Sequence, residues 1–406
     1  MEHYLVHIAL VMLLYCLFSA RIGSFGITMP MVFLGLGVLV GIDGEPLTLA
    51  YATAFHHLAE VTLALLLFAD ATTLRRDALD KIGQRTGRML LLGLPFAILL
   101  GAGINLVLLP DWPLWEVCLL AALLAPTDAA LGQSIQSNTR IPQTFRDAMN
   151  AESGLNDGLA LPFVIFFAGM AISGAGAGDV GDGSLLKLVA TQIGLGAAVG
   201  VAGGFAIGKL RNFVLERELM DHGLGQVATL ILVAFIFFAA EHAGGNSFVA
   251  VFVAGIAYAN AASGSVSHAR HFLEGDGQFL AMLSFFFIGA LFVPEALEYL
   301  TFAGFLVVIL SLVLVRPVAI WLSLMGTDTS PNERLFYGWF GPRGLATALF
   351  AVFVVMDFEG VENIEGILVI AITAVLISAF VHGITAKYAP EIFRFGDISD
   401  RDGQGR

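Results

Sequence analysis

Five ionisable residues of this 406-residue sequence lie inside long apolar stretches: Asp128, Glu152, Asp157, Arg316 and Arg343. An ionisable group within a bilayer costs about 2.5 to 3.5 kcal/mol on insertion scales, so each one indicates a function or a partner. A buried carboxylate is disfavoured as a bare anion, and a proton, a cation or an arginine can neutralise it. These three alternatives define the chemistry that the sequence could support.

Two carboxylates share the stretch Asn-Ala-Glu-Ser-Gly-Leu-Asn-Asp-Gly. On a helix Ser153 and Asp157 lie four residues apart on one face, while Glu152 and Asn156 lie on the adjacent face. The first face offers oxygens to a hard cation. The second carries a carboxylate suited to pairing with an arginine, and Arg316 is the best-placed partner by depth. Structural and catalytic roles both remain open for Glu152, and the structural ion pair is favoured.

Two apolar stretches are interrupted where a helix would cross the membrane. Pro126 precedes Thr127 and Asp128 in the fifth stretch, and Gly341-Pro342-Arg343-Gly344 interrupts the twelfth. Proline removes a helix hydrogen bond, and freed backbone inside a membrane is tolerated where it lines a cavity or is buried in protein. Broken helices at corresponding positions of two halves are typical of a transport site. The alternative is a pair of ordinary proline kinks.

The elements that must position these residues are apolar segments long enough to span a bilayer. The chain is 57% hydrophobic and only 13% charged, with a mean hydropathy of +0.84, whereas soluble domains carry about 25% charged residues. This composition excludes a soluble globule, and continuous apolar runs favour helices over a barrel. Thirteen spans are predicted, at 4–20, 27–41, 47–71, 87–109, 113–136, 146–173, 185–208, 223–243, 246–262, 272–293, 301–325, 334–357 and 364–389.

Lysine and arginine alternate sharply between the predicted loops. Seventeen of the 20 basic residues follow odd-numbered spans, and Lys187 alone lies on the other side. Cytoplasmic loops carry an excess of these residues. The pattern therefore predicts a protein of the cell membrane with its N-terminus outside the cell and its C-terminus in the cytoplasm.

The predicted fold is an all-α polytopic membrane protein with about 13 transmembrane helices. Spans five and twelve differ by seven, which predicts two inverted six-helix repeats whose broken helices 5 and 12 cross. Residues 1–390 are expected to form one transmembrane domain, and residues 391–406 a short cytoplasmic tail. Nothing in the sequence indicates a cofactor or a nucleic-acid partner.

Four motifs at matching spans together resemble the NhaP-type sodium/proton exchangers of the monovalent cation/proton antiporter family. They are Thr127-Asp128, Glu152-x-x-x-Asn156-Asp157, Arg316-Pro317 and Gly341-x-Arg343-Gly344. The resemblance covers essentially the whole chain. It implies an alternating-access transporter that exchanges Na⁺ or Li⁺ for H⁺, and its Asn-Asp form implies electroneutral 1:1 exchange. The resemblance as a whole implies a homodimer.

The resemblance also implies roles for individual residues. Asp157 would carry either the cation or the proton, with Asp128, Ser153 and the backbone of Thr127 as further cation ligands. Glu152, Asn156 and Arg316 would hold the core together, and Arg343 would offset the helix ends at the crossing. The sequence departs from the family at Ala129, where a proline often follows the aspartate.

Several alternatives remain open at this point. K⁺ is the close alternative to Na⁺, because no named residue sets the size of the cavity. A cation channel and an intramembrane aspartyl protease using Asp128 and Asp157 are more remote. Glu60 is either an accessory ligand or a paired core carboxylate, and His56 and His57 are either pH sensors or polar lining.

Overall fold

The computed structural model describes residues 2–43, 49–74, 83–128, 131–132, 135, 138–174, 184–221, 224–262, 267–358 and 360–393. These residues form helices and connecting turns, with no β-strand among them. The helices are α1 Glu2–Ser24, α2 Met29–Asp43, α3 Leu49–Ala71, α4 Gly83–Leu108, α5 Leu114–Leu123, α6 Gln143–Gly174, α7 Ser184–Glu216, α8 Leu224–His242, α9 Ser247–Ala261, α10 267–299, α11 Phe302–Ser323, α12 Pro331–Trp339, α13 Leu345–Asp357, α14 Ile364–Lys387 and α15 Ala389–Phe393.

The predicted all-helical class is confirmed, and each predicted span contains a helix or a pair of half-helices. Among the described residues, seven helices are long and apolar enough to cross a membrane by length and composition. Shorter apolar helices account for other spans, among them Met29–Gly41, Ser247–Ala261 and Leu345–Asp357. Parts of the predicted loops and tail, at 75–82, 175–183 and 394–406, lie outside the described residues.

Helix α7 extends further than its apolar run predicted, to Glu216 instead of residue 208. Its 33 residues span about 50 Å, which exceeds the roughly 30 Å of bilayer hydrocarbon. Hydropathy stops indicating a span at Lys209, whereas Lys209 and Arg211 are good helix formers and the backbone continues. Hydropathy alone therefore marks the membrane boundary and not the helix end.

Prolines reshape three of the long helices. The five-residue π-helical turns at Met89–Gly93, Ile288–Phe292 and Ser311–Val315 each end two residues before Pro95, Pro294 or Pro317. Because proline cannot donate its backbone hydrogen bond, the turn before it widens. The same device recurs in α4 and α11, which are seven spans apart, and this supports the two-repeat arrangement.

Glycines bring α7 against α9 at backbone distance. Gly196, Gly200, Gly204 and Gly208 repeat every four residues, and a Cβ on any of them would overlap atoms of α9 or of its N-cap residue. Spacing of this kind lets membrane helices pack closely through van der Waals contact. Glycines of α2 and α10 pack in the same way, with Gly37 and Gly41 against the backbone of α10.

The two interrupted spans cross at their breaks. Helix α5 ends at Leu123, and helical residues resume at Leu131. The extended segment 340–344 separates α12 from α13. The backbone N–H of Asp128 donates to the Pro342 carbonyl at 2.9 Å, so the two breaks lie side by side as predicted.

Candidate functional site

The carboxylate of Asp128 lies at the centre of the crossing. One oxygen accepts the Leu131 N–H at 2.9 Å, and the other accepts the N–H of Leu345, the first residue of α13. Helix N-termini leave N–H groups without internal partners, and a negative charge there is stabilising. One aspartate therefore caps two half-helices. This geometry does not suit Asp128 to act as half of a protease dyad, because both of its oxygens are engaged by the backbone.

The glycines of the twelfth span allow this approach. A Cβ on Gly344 would overlap the Asp128 carboxylate, and a Cβ on Gly341 would overlap the Arg316 guanidinium. The Gly-Pro-Arg-Gly string therefore brings two charged side chains against the extended segment. Sequence reasoning identified the string as a break but not the reason for its two glycines.

Glu152 and Arg316 form the ion pair that their depth predicted. Arg316 donates to both carboxylate oxygens, with Nη1 to Oε1 at 3.1 Å and Nη2 to Oε2 at 2.8 Å. Both side chains are about 5% exposed or less. A bidentate arginine pair gives geometric specificity as well as energy. The pair joins α6 to α11, where Arg316 directly follows the π-helical turn.

A hydrogen-bonded row connects the fifth span to α6. Asn156 Nδ2 donates to Thr127 Oγ1 at 2.6 Å and to Glu152 Oε1 at 3.3 Å. The hydroxyls of Thr127 and Ser153 lie 3.1 Å apart. The structure thus brings together four residues that the sequence placed on two separate helix faces and a break.

Asp157 differs from the other carboxylates of the site. Its Oδ1 atom is buried without a hydrogen-bond partner in the described part of the chain, and the same holds for Oδ1 of neighbouring Asn156. Asp128, Asp70 and Glu152 are close enough to act on it electrostatically. Since an unpaired buried acceptor is costly, these two oxygens mark a place where a proton or a cation would be stabilised.

Arg343 lies in the extended segment and is fully buried. Its Nη1 donates to the Gly341 carbonyl at 2.8 Å, just beyond the C-terminal end of α12. A cation near the C-terminus of a helix complements the helix dipole. Its backbone N–H donates to Ser378 Oγ of α14 at 2.7 Å.

Sequence reasoning missed one acidic residue near the site and left another with two possible roles. Asp70, near the end of α3, packs against Gly154 on the helix that carries Asp157. Glu60 Oε2 lies 3.1 Å from His57 Nδ1, and Glu60 is ten residues and about 15 Å along α3 from Asp70. The side chain of His56 lies outside the described residues.

The family model described as the transmembrane sodium/hydrogen exchanger matches residues 7–389. The chain belongs to this exchanger family. The family is one of transporters and not of enzymes. The match extends from the first helix to the start of α15, and it includes both broken spans and the paired Glu152 and Arg316.

Several known proteins resemble this chain. The K⁺/H⁺ antiporter NhaP2 of Shewanella sp. strain MR-4 is 26% identical over 90% of this chain and 63% of its own length. The sodium, potassium, lithium and rubidium/H⁺ antiporter of Bacillus pumilus is 30% identical over 57% of this chain and 34% of its own. The chain thus spans less than two thirds of the length of these curated relatives.

The solved structure of the sodium proton antiporter MjNhaP1 from Methanocaldococcus jannaschii has the same fold. It superposes with a TM-score of 0.74 at 21% identity, covering 94% of this chain and 99% of that one. The family match and the long apolar helices make this chain a multi-pass membrane protein.

Proposed function

We propose that this chain is a secondary active transporter that moves a monovalent cation in exchange for protons, with Asp157 carrying either ion. The observation that carries the proposal is the unpartnered, buried Oδ1 of Asp157 beside a Glu152 that Arg316 already neutralises. Of the two, Asp157 has the carboxylate that requires neutralisation from outside. A bare anion there is disfavoured, so a proton and a cation compete for it.

The remaining site residues support this carrier in different ways. Ser153, the Thr127 backbone and Asp128 are proposed as further ligands, and unwound backbone beside a carboxylate is a common cation site in transporters. Asp128 has a second role, since its oxygens cap Leu131 and Leu345. Arg343 is proposed to offset the helix end at the crossing, and Asp70 to attract cations towards Asp157.

The transport cycle follows from neutralisation. If Asp157 moves between the two sides only when one proton or one cation neutralises it, exchange is electroneutral at 1:1. We propose that α5, α6, α12 and α13 move against the scaffold of α7 and α9, which their glycines lock together. The N-terminus would be outside and the C-terminus cytoplasmic, with residues 1–390 as the transmembrane domain, 391–406 as the tail, and a homodimer in the cell membrane.

Na⁺ or Li⁺ is the proposed cation, and K⁺ is the second candidate. The first choice is supported by the family description and by the name of the solved structure. The second is supported by the relatives from Shewanella, which are named K⁺/H⁺ antiporters. The same carboxylate and hydroxyl oxygens serve either cation, so the choice depends on the size of the loaded cavity.

The test uses proteoliposomes with an internal pH dye and Na⁺, Li⁺ or K⁺ added in turn. We expect addition of the transported cation to move protons in wild type and not in Asp157→Asn. Asp147→Asn is the matched control, because Asp147 is an exposed carboxylate on the same helix. The proposal fails if wild type moves no protons with any of these cations, or if Asp157→Asn exchanges at the wild-type rate.

Stoichiometry needs a separate measurement. Exchange rates are recorded at several imposed membrane potentials, because an electroneutral cycle moves no net charge. Equal rates support 1:1 exchange. A rate that rises or falls with the potential contradicts it while leaving the role of Asp157 intact.

A further inference from the structure

A row of polar side chains on α14 contacts the break of the twelfth span. Ser378, His382 and Thr385 lie at spacings of four and three residues, so they share one helix face. Ser378 and His382 are 3% exposed or less. None of the motifs that identified the site includes these residues.

Two successive parts of the broken span are attached to this row. The Arg343 N–H in the extended segment donates to Ser378 Oγ at 2.7 Å. At the end of α12, the Trp339 ring packs on the His382 ring with centroids 5.6 Å apart, and its Nε1 donates to Thr385 Oγ1 at 3.2 Å. The end of one half-helix and the segment after it are thus held by one face of α14.

His382 completes the hydrogen bonding of Ser378. The serine oxygen accepts from Arg343, so its own hydrogen is available to a neighbouring acceptor, and His382 Nδ1 lies 3.0 Å away. The same ring nitrogen lies 3.1 Å from the Ser378 carbonyl. Nδ1 cannot accept from the hydroxyl and donate to the carbonyl at the same time. The relay from the backbone of Arg343 through Ser378 to His382 therefore requires the tautomer that carries its hydrogen on Nε2.

We infer that His382 is a positioning residue of the exchanger, which fixes Ser378 and thereby the extended segment 340–344 at the helix crossing. This inference rests on the proposed exchange at Asp157. His382 acts through Ser378 and Arg343 and does not touch the cation. The same segment supplies the Pro342 carbonyl to Asp128 and the Gly341 carbonyl to Arg343, so a looser segment would disturb the crossing without removing a ligand.

A role of this kind predicts a specific kinetic pattern. Loss of the relay leaves buried polar groups poorly satisfied during the conformational step, which should slow turnover about tenfold. The cation concentration at half-maximal rate should stay within about twofold of wild type, because the oxygens around Asp157 are unchanged.

The experiment compares His382→Leu with His382→Asn in proteoliposomes. Asparagine places an acceptor close to the position of Nδ1, whereas leucine fills a similar volume without one. We expect the leucine variant to lose maximal rate and the asparagine variant to regain most of it. His242→Asn, at the exposed end of α8, is the control and should exchange like wild type.

Ser378→Ala keeps the inference testable if His382→Leu does not fold. It removes the acceptor for Arg343 N–H and should give the same loss of maximal rate. Thr373→Ala is its control, because the Thr373 hydroxyl donates to the Val369 carbonyl of its own helix. A wild-type maximal rate in His382→Leu or Ser378→Ala overturns the inference. A change in the cation concentration at half-maximal rate that is as large as the change in maximal rate also overturns it.

Amide hydrogen exchange separates this inference from the proposed function. Peptides covering 340–348 should exchange faster in His382→Leu and Ser378→Ala than in wild type, while His382→Asn and Asp157→Asn should match wild type there. Unchanged protection in the first two variants overturns the positioning role whatever the transport result. Proton movement that occurs with only some of the three cations, or that is lost in Asp157→Asn, bears on the proposed function alone.

Discussion

The carboxylate of Asp128 accepts the backbone N–H of Leu345, although 217 residues separate the two in sequence. The same carboxylate accepts the N–H of Leu131 in its own span. Two half-helices from opposite halves of the chain thus share one negative charge at their N-terminal ends, where the helix dipoles are positive. The crossing is held by this side chain as well as by the backbone bond from Asp128 to Pro342.

Asp128→Asn should therefore destabilise the fold as well as affect transport. The amide keeps one acceptor oxygen and presents an NH₂ group to the second backbone donor, which leaves that donor unsatisfied. Loss of a charge-assisted bond of this kind costs about 1 to 3 kcal/mol. We expect a lower midpoint of thermal unfolding in detergent, measured by loss of the monodisperse peak after heating.

Asp147→Asn is the control for this measurement, because it makes the same chemical change at an exposed position of α6. An unchanged midpoint in Asp128→Asn would show that the two backbone contacts contribute little. Reduced cation exchange at full stability would then assign Asp128 to the ion alone.

The sequence was sufficient to predict the helical fold, because apolar runs and basic loops depend on local composition. It could not predict the π-turn before Pro317 or the end of α7 at Glu216. The π-turn lies inside a continuous apolar span, where hydropathy does not register a change in helix geometry. The end of α7 lies beyond its apolar run, where the charged residues continue the helix. The two breaks were predicted because proline and glycine act locally.

Within the site, pairs set by depth were predictable and contacts set by side-chain direction were not. Depth alone matched Arg316 to Glu152, and the structure has this pair. The capping role of Asp128 depends on where α13 begins in space, which no spacing in the sequence encodes. The row of Ser378 and His382 was visible as an i, i+4 pair in an apolar helix, and this signal was not used.

The ion pair between Glu152 and Arg316 should make the stability losses of single and double variants non-additive. Glu152→Gln and Arg316→Ala should each lower stability by about 3 to 5 kcal/mol, because each leaves a buried charge without its partner. The double variant Glu152→Gln/Arg316→Ala should lose less than the sum of the two single losses. Thermal midpoints and folded yield measure this, and additive losses would contradict the coupling.

Arg140 holds the pKa of Glu391 below its ordinary value of 4.5, through a hydrogen bond of 2.6 Å on the surface of α15. A carboxyl with a lowered folded-state pKa adds stability above its unfolded pKa, and this stability is lost as pH falls through the folded pKa. Wild type should therefore unfold at a slightly higher temperature than Glu391→Gln near neutral pH. The difference should shrink below pH 4.5. Arg140→Gln should lower the unfolding temperature over the same pH range. A difference in unfolding temperature that persists at lower pH would contradict the pairing.

Gly158 follows Asp157 on α6 and lies against the Phe252 ring of α9, where an added Cβ would overlap the ring. Because Phe252 is itself buried, Gly158→Ala should overpack the contact between the proposed moving helices and their scaffold, at a cost of about 1 to 3 kcal/mol. We expect slower exchange in proteoliposomes, with partial recovery when Phe252→Leu is added. Gly103→Ala in α4 is the matched control, since a Cβ there meets nothing within 4 Å. Equal rates for the two alanine variants would show that α6 does not move closely past Phe252 during transport.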